Sequence, residues 1–131
     1  MKANIIIEMA SDGGFACYMQ EEIPYVSLTG YGDSAREAKE DLLQTYEDMK
    51  DILAEEGKEI PQLEFIYHYD MKSFFDYFDF LNVSRVAQLA GINPSLMRKY
   101  TSGVTMAREP QYRKLQKAVQ SFASELQNVA F

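Results

Sequence analysis

Few residues of this 131-residue chain have types suited to chemistry. There is one cysteine, Cys17, and one histidine, His68. Cys17 lies in the apolar run FACYMQ, where a small buried thiol is expected, and His68 stands in EFIYHYD with no second imidazole or thiol to share a transition metal. Four acids, Asp12, Glu22, Glu40 and Asp41, are the best candidates for holding magnesium in a phosphoryl transfer, but nothing in their spacing makes them converge. No catalytic set, metal site or cofactor is therefore expected, and the chain reads as a non-enzyme. The residues that do form a pattern lie in AGINPSLMRKYTSG, residues 90–103.

That stretch has the parts of a helix-turn-helix. Counting from Val83, the small Ala87 falls four residues on and Gly91 eight; the alanine lets two helices approach and the glycine permits a left-handed turn between them. Asn82 suits the cap of the first helix, and Asn93 with Pro94 the start of the second. Val86, Ala90, Ile92, Met97 and Tyr100 fall on core-facing positions. Ser95, Leu96, Arg98 and Lys99 are left pointing outward from a helix N-terminus, the arrangement that reads a major groove. Ser95 and Leu96 are candidate base readers, Arg98 and Lys99 carry binding, and Asn93 and Tyr100 are candidate phosphate or positioning contacts.

DNA binding looks at odds with a net charge of −7, but the charge is not spread evenly. Residues 1–79 hold 18 acids against six Lys/Arg, a balance of −12, and residues 80–131 hold two against seven, a balance of +5. The change of sign at one boundary marks two modules, one suited to a basic partner and one to nucleic acid. No apolar run approaches the ~20 residues of a membrane helix, and MKANIIIEMA is too weakly apolar for a secretory signal. A soluble cytoplasmic protein with no membrane partner is expected.

The elements that must position these residues follow from periodicity. ANIIIEM and FACYMQ are β-favouring runs joined by SDGG, a hairpin signal, and residues 25–29 read as a third strand. Ser34-Ala35-Arg36-Glu37 has capping-box form. After it Ala38, Leu42, Tyr46, Met49 and Leu53 make one apolar helical stripe that Gly57 ends. Leu63, Phe65, Tyr67 and Tyr69 alternate as a last strand packed on that helix. MKSFFDYFDFL, residues 71–81, is expected to be the aromatic first helix of the basic module. A final helix from about residue 109 to 128 carries Leu115, Ala118, Val119, Phe122 and Leu126, and an apolar NVAF tail points to a dimer contact.

Together these features resemble a family. The hairpin, the Gly32-Asp33-Ser34 helix start, AREAKEDLL and the closing strand look like the N-terminal domain of HicB-type antitoxins, a truncated ribonuclease-H-like fold. The segment from Asn82 through Gly103 and the helix after it resembles the repressor-like helix-turn-helix that many of them carry C-terminally, although Tyr100 is followed here by Thr101 where glutamate is common. The resemblance implies an α+β chain with a toxin-binding domain at 1–70 and an all-α, DNA-binding and dimerisation domain at 71–131. It implies an antitoxin that neutralises a small basic HicA-like mRNA-cleaving toxin and represses its own operon by binding double-stranded operator DNA as a homodimer or higher even oligomer. The alternative is an orphan helix-turn-helix regulator with no toxin partner.

Overall fold

A computed structural model describes residues 1–131. The chain is α+β, with a four-stranded mixed sheet and five helices, and it divides into two units, Met1–Tyr77 and Phe78–Phe131. No helix is long and apolar enough to cross a membrane.

In the N-terminal unit, β1 (Lys2–Met9) and β2 (Phe15–Met19) form the expected hairpin, β3 (Thr29–Gly32) pairs antiparallel with β2, and β4 (Glu64–Tyr69) pairs parallel with β1. The strand order is β3-β2-β1-β4. Helix α1 (Ala35–Glu55) begins where the capping box places it, the Ser34 hydroxyl accepting from the Glu37 amide at 3.1 Å and the Glu37 carboxylate accepting from the Asp33 amide at 2.9 Å. Ala38, Leu42, Tyr46 and Leu53 bury its apolar stripe against Ile5, Ile7, Phe15 and Cys17.

Two expectations are corrected here. The third strand is not at 25–29. Tyr25 is exposed with φ 66°, Val26 makes only an isolated bridge to Ile23, and the ladder is taken up by the glycine-rich TGYG instead. Gly30 explains the choice, because a Cβ there would lie 2.6 Å from the Leu42 amide nitrogen and closer still to the Ala38 carbonyl. Only a bare backbone lets α1 come this near. The second correction concerns the boundary at 70/71. Helix α2 (Met71–Tyr77) is shorter than expected and belongs to the sheet unit, not to the basic module. It is held there by polar bonds as well as by its buried Met71 and Phe75. The buried Ser73 hydroxyl donates to the Ile7 carbonyl at 2.8 Å, Asp70 accepts from the Met9 amide at 3.0 Å, and Asp76 accepts from the Ala35 amide at 2.8 Å.

The C-terminal unit contains α3 (Val83–Ala90), α4 (Pro94–Thr101) and α5 (Glu109–Leu126). Its core is small, built from Val86, Ala87, Ile92, Met97, Tyr100, Leu115 and Ala118, with Ala90 only half-buried.

Candidate nucleic-acid interface

The α3–α4 pair is defined by its caps. The Asn82 side chain accepts from the Arg85 amide at 3.0 Å and starts α3; Gly91 ends it with φ 73° and ψ 28°, a left-handed stop that costs glycine no strain. One residue separates the turn from the next start. Asn93 Oδ1 accepts from the Ser95 and Leu96 amides at 2.8 and 3.3 Å, and Pro94 occupies the first turn. Ile92, Met97 and Tyr100 anchor α4 from inside, so its exposed side is fixed by packing.

On that side Ser95, Arg98 and Lys99 are exposed, and Leu96 is half-buried. Arg98 is held at two points. One guanidinium nitrogen donates to the Ser95 hydroxyl at 3.1 Å, within α4, and the other to the Ser84 hydroxyl on α3, also at 3.1 Å. The spacing of α4 makes the first bond legible, since residues three apart are neighbours on a helix. The second crosses the turn, and Ser84 had no signal of its own. Between Val83 and Thr101 the charged residues are Arg85, Arg98 and Lys99, with no acid among them.

Of the six expected contact residues, the structure brings Ser95, Arg98 and Lys99 together on an exposed face and leaves Leu96 partly available. Asn93 is committed through its carbonyl oxygen to the helix start. Tyr100, at 8% exposure and with its hydroxyl accepting from Gln111 Nε2 at 3.4 Å, ties α4 to α5 from the core.

Two of the four candidate acids, Asp12 and Asp41, are engaged in local bonds. Asp12 accepts from the Tyr31 hydroxyl and the Gly14 amide, and Asp41 accepts from the Tyr31 amide at 2.9 Å. Cys17 is buried, which pushes its thiol up to about 12. His68 Nε2 is 2.8 Å from Asn4 Oδ1 on the sheet. Compared with protein-family models, curated proteins and solved structures, the chain shows no match.

Proposed function

We propose that the chain is a HicB-type antitoxin. Its N-terminal unit, read as a truncated ribonuclease-H-like domain, neutralises a small basic HicA-like mRNA-cleaving toxin by binding it in the cytoplasm. Its C-terminal unit, read as a repressor-like helix-turn-helix, binds operator DNA and represses the operon.

The observation that carries this reading is the coincidence of two boundaries. The compact units part between Tyr77 and Phe78, and the charge changes sign at the same place: 17 acids against six Lys/Arg before it, net −11, and three against seven after it, net +4. Opposite fields on separate units suit two partners of opposite charge. An acidic field speeds encounter with a cationic protein, and clustered cations gain affinity for DNA by releasing phosphate counterions.

On this reading α4 enters the major groove. Ser95 and the exposed part of Leu96 reach base edges, Arg98 takes guanine or phosphate, and Lys99 takes phosphate. Asn93 positions the helix start.

The test is the Arg98→Ala/Lys99→Ala double variant, titrated against the DNA upstream of its own gene at two salt concentrations and assayed against the small basic toxin that this reading requires to be encoded beside it; absence of such a reading frame favours the orphan regulator. Loss of operator binding with RNA cleavage still inhibited is the expected result. Wild-type operator affinity in a folded double variant removes α4 from the DNA. DNA binding by a wild-type chain that leaves RNA cleavage untouched leaves an orphan regulator.

A further inference from the structure

The basic partner has two large surfaces of the N-terminal unit to choose from, and their chemistry differs. The outer side of α1 is polar along its middle, with Glu40, Gln44, Glu47, Asp48 and Asp51 all exposed, as a solvated helix face should be. The sheet is different. Its inner face, with Ile5, Ile7, Phe15 and Cys17, is covered by helix. A sheet with one wet face normally alternates apolar inward with polar outward, but here the outward positions include Ile6, Tyr18, Tyr31 and Ile66.

Register puts these side chains side by side. Ile6 stands opposite both Tyr18 on β2 and His68 on β4, and Asn4 stands opposite Ile66. Ile6, Tyr18, Tyr31 and Ile66 all lie outside the core cluster, and Tyr18, Tyr31 and Ile66 are 38%, 48% and 37% exposed. A sheet face of this kind ordinarily packs against another layer, and an apolar patch rimmed by polar groups marks a protein contact.

Polar groups on the face are already ordered. Asn4 bridges His68 and Glu21: its Oδ1 lies 2.8 Å from His68 Nε2 and its Nδ2 donates to Glu21 at 2.5 Å. The rim is acidic, with Glu8 and Glu64 also at outward positions, Glu64 paired in register with Lys2.

We infer that the open face of the β-sheet, centred on Ile6, Tyr18 and Ile66 and rimmed by Glu8, Glu21 and Glu64, is the surface that docks the basic protein partner. The acids of α1 contribute the long-range field, and the sheet contributes the desolvated contact. This rests on the antitoxin reading for the identity of the occupant. A hot-spot core of aromatic and aliphatic side chains inside a charged rim is what such an interface requires.

The experiment uses the full chain and the purified small basic toxin that the antitoxin reading requires. Tyr18→Thr/Ile66→Thr keeps strand-compatible residues and should raise the dissociation constant at least ~10-fold, chiefly through the off-rate. Glu40→Lys/Asp51→Lys on α1 should slow association a few-fold and steepen no off-rate. Hydroxyl-radical footprinting of the wild-type complex, which needs no variant to fold, should protect Tyr18, Tyr31 and His68 and leave Tyr25, beside the C-terminal part of α1, as reactive as in the free chain.

Wild-type affinity in the folded sheet variant, or protection of Tyr25 in place of Tyr18 and Tyr31, overturns the sheet face and leaves the antitoxin reading standing. Failure of the wild-type chain to bind overturns the antitoxin reading and this occupant with it. A change in sedimentation of the sheet variant without partner assigns the face to a second copy instead and overturns the proposal.

Discussion

Cys17 is 1% exposed, and burial holds its thiol up at about 12. Its protonated form is favoured in the folded chain, a contribution present at neutral pH and lost as pH rises from the ordinary thiol value near 8.5 toward 12. Native protein at pH 8 should therefore resist iodoacetamide, and the adduct should form only on unfolding; complete labelling of folded protein within minutes would place the thiol at the surface. Carboxylates have the opposite sign. The Asn4 side-chain hydrogen bond to Glu21, and the Tyr31 hydroxyl bond to Asp12, hold both carboxyls below their ordinary values. What they contribute is complete above the usual carboxylate range near pH 4 and lost as pH falls through the lowered values. Thermal midpoints measured from pH 6 to pH 3 should drop less steeply in Asn4→Ala than in wild type. The cysteine's burial and the outward trio of Ser95, Arg98 and Lys99 were legible from apolar context and helical spacing. Ser84 was not, because its bond to Arg98 depends on the angle between two helices, and no periodicity along one helix encodes that. Tyr100 has a polar end on a core position, and only the packed neighbour Gln111 decides where its hydroxyl goes.

Elements were legible where a local signal and a burial pattern agree. Ser34, Asn82 and Asn93 each cap the helix expected of them, and β4 alternates as Phe65, Tyr67 and Tyr69 predict. β3 was misplaced because residues 25–29, YVSLT, have the better strand composition, yet strand preference depends on what a strand packs against. Gly30 meets α1 at backbone distance, so Gly30→Ala should push helix and sheet apart. A loss of at least ~1–3 kcal/mol is expected, the usual range for overpacking a tight core, read as a lower urea midpoint at unchanged slope. An unchanged midpoint would show that α1 sits farther from β3. The αL position of Gly91 is a different case, since a Cβ there meets nothing within 4 Å. Gly91→Ala should cost only the backbone strain of a left-handed alanine, ~1 kcal/mol. α2 was assigned to the wrong unit for a related reason. Its aromatic run matches either core, and the choice is made by Ser73, Asp70 and Asp76, which bond to Ile7, Met9 and Ala35 far away in sequence.

At the scale of the molecule, the C-terminal unit exposes more apolar surface than its small core would lead one to expect. Leu115 and Ala118 are buried on α5 and Val119 and Phe122 are half-buried, but the stripe continues past the core to Leu126 at 63% exposure, and beyond the helix end Val129 is 52% exposed and Phe131 fully so. A helix stripe that runs off its own core is completed most simply by the same stripe of a second copy, because a two-fold axis lets one surface be its own complement. On the proposed DNA-binding reading, a functional consequence follows from geometry. One α4 presents a single arginine–lysine pair, which is a short contact for sequence-specific DNA, whereas two copies related by a two-fold axis can read half-sites one helical turn, ~34 Å, apart. The chain should therefore sediment as a dimer at micromolar concentration without DNA, and truncation after Glu125, which removes Leu126, Val129 and Phe131, should shift it toward monomer. The truncated chain keeps Ser95, Arg98 and Lys99 and the fold around them, so it should still bind operator fragments weakly, lose preference for the intact palindrome over a half-site, and show a salt slope reduced by roughly half as the second set of phosphate contacts is lost. On the antitoxin reading, inhibition of RNA cleavage should persist, since the N-terminal unit is unchanged. A monomeric wild-type chain, or a truncated chain that still sediments as a dimer and prefers the palindrome, would move the self-association surface away from α5.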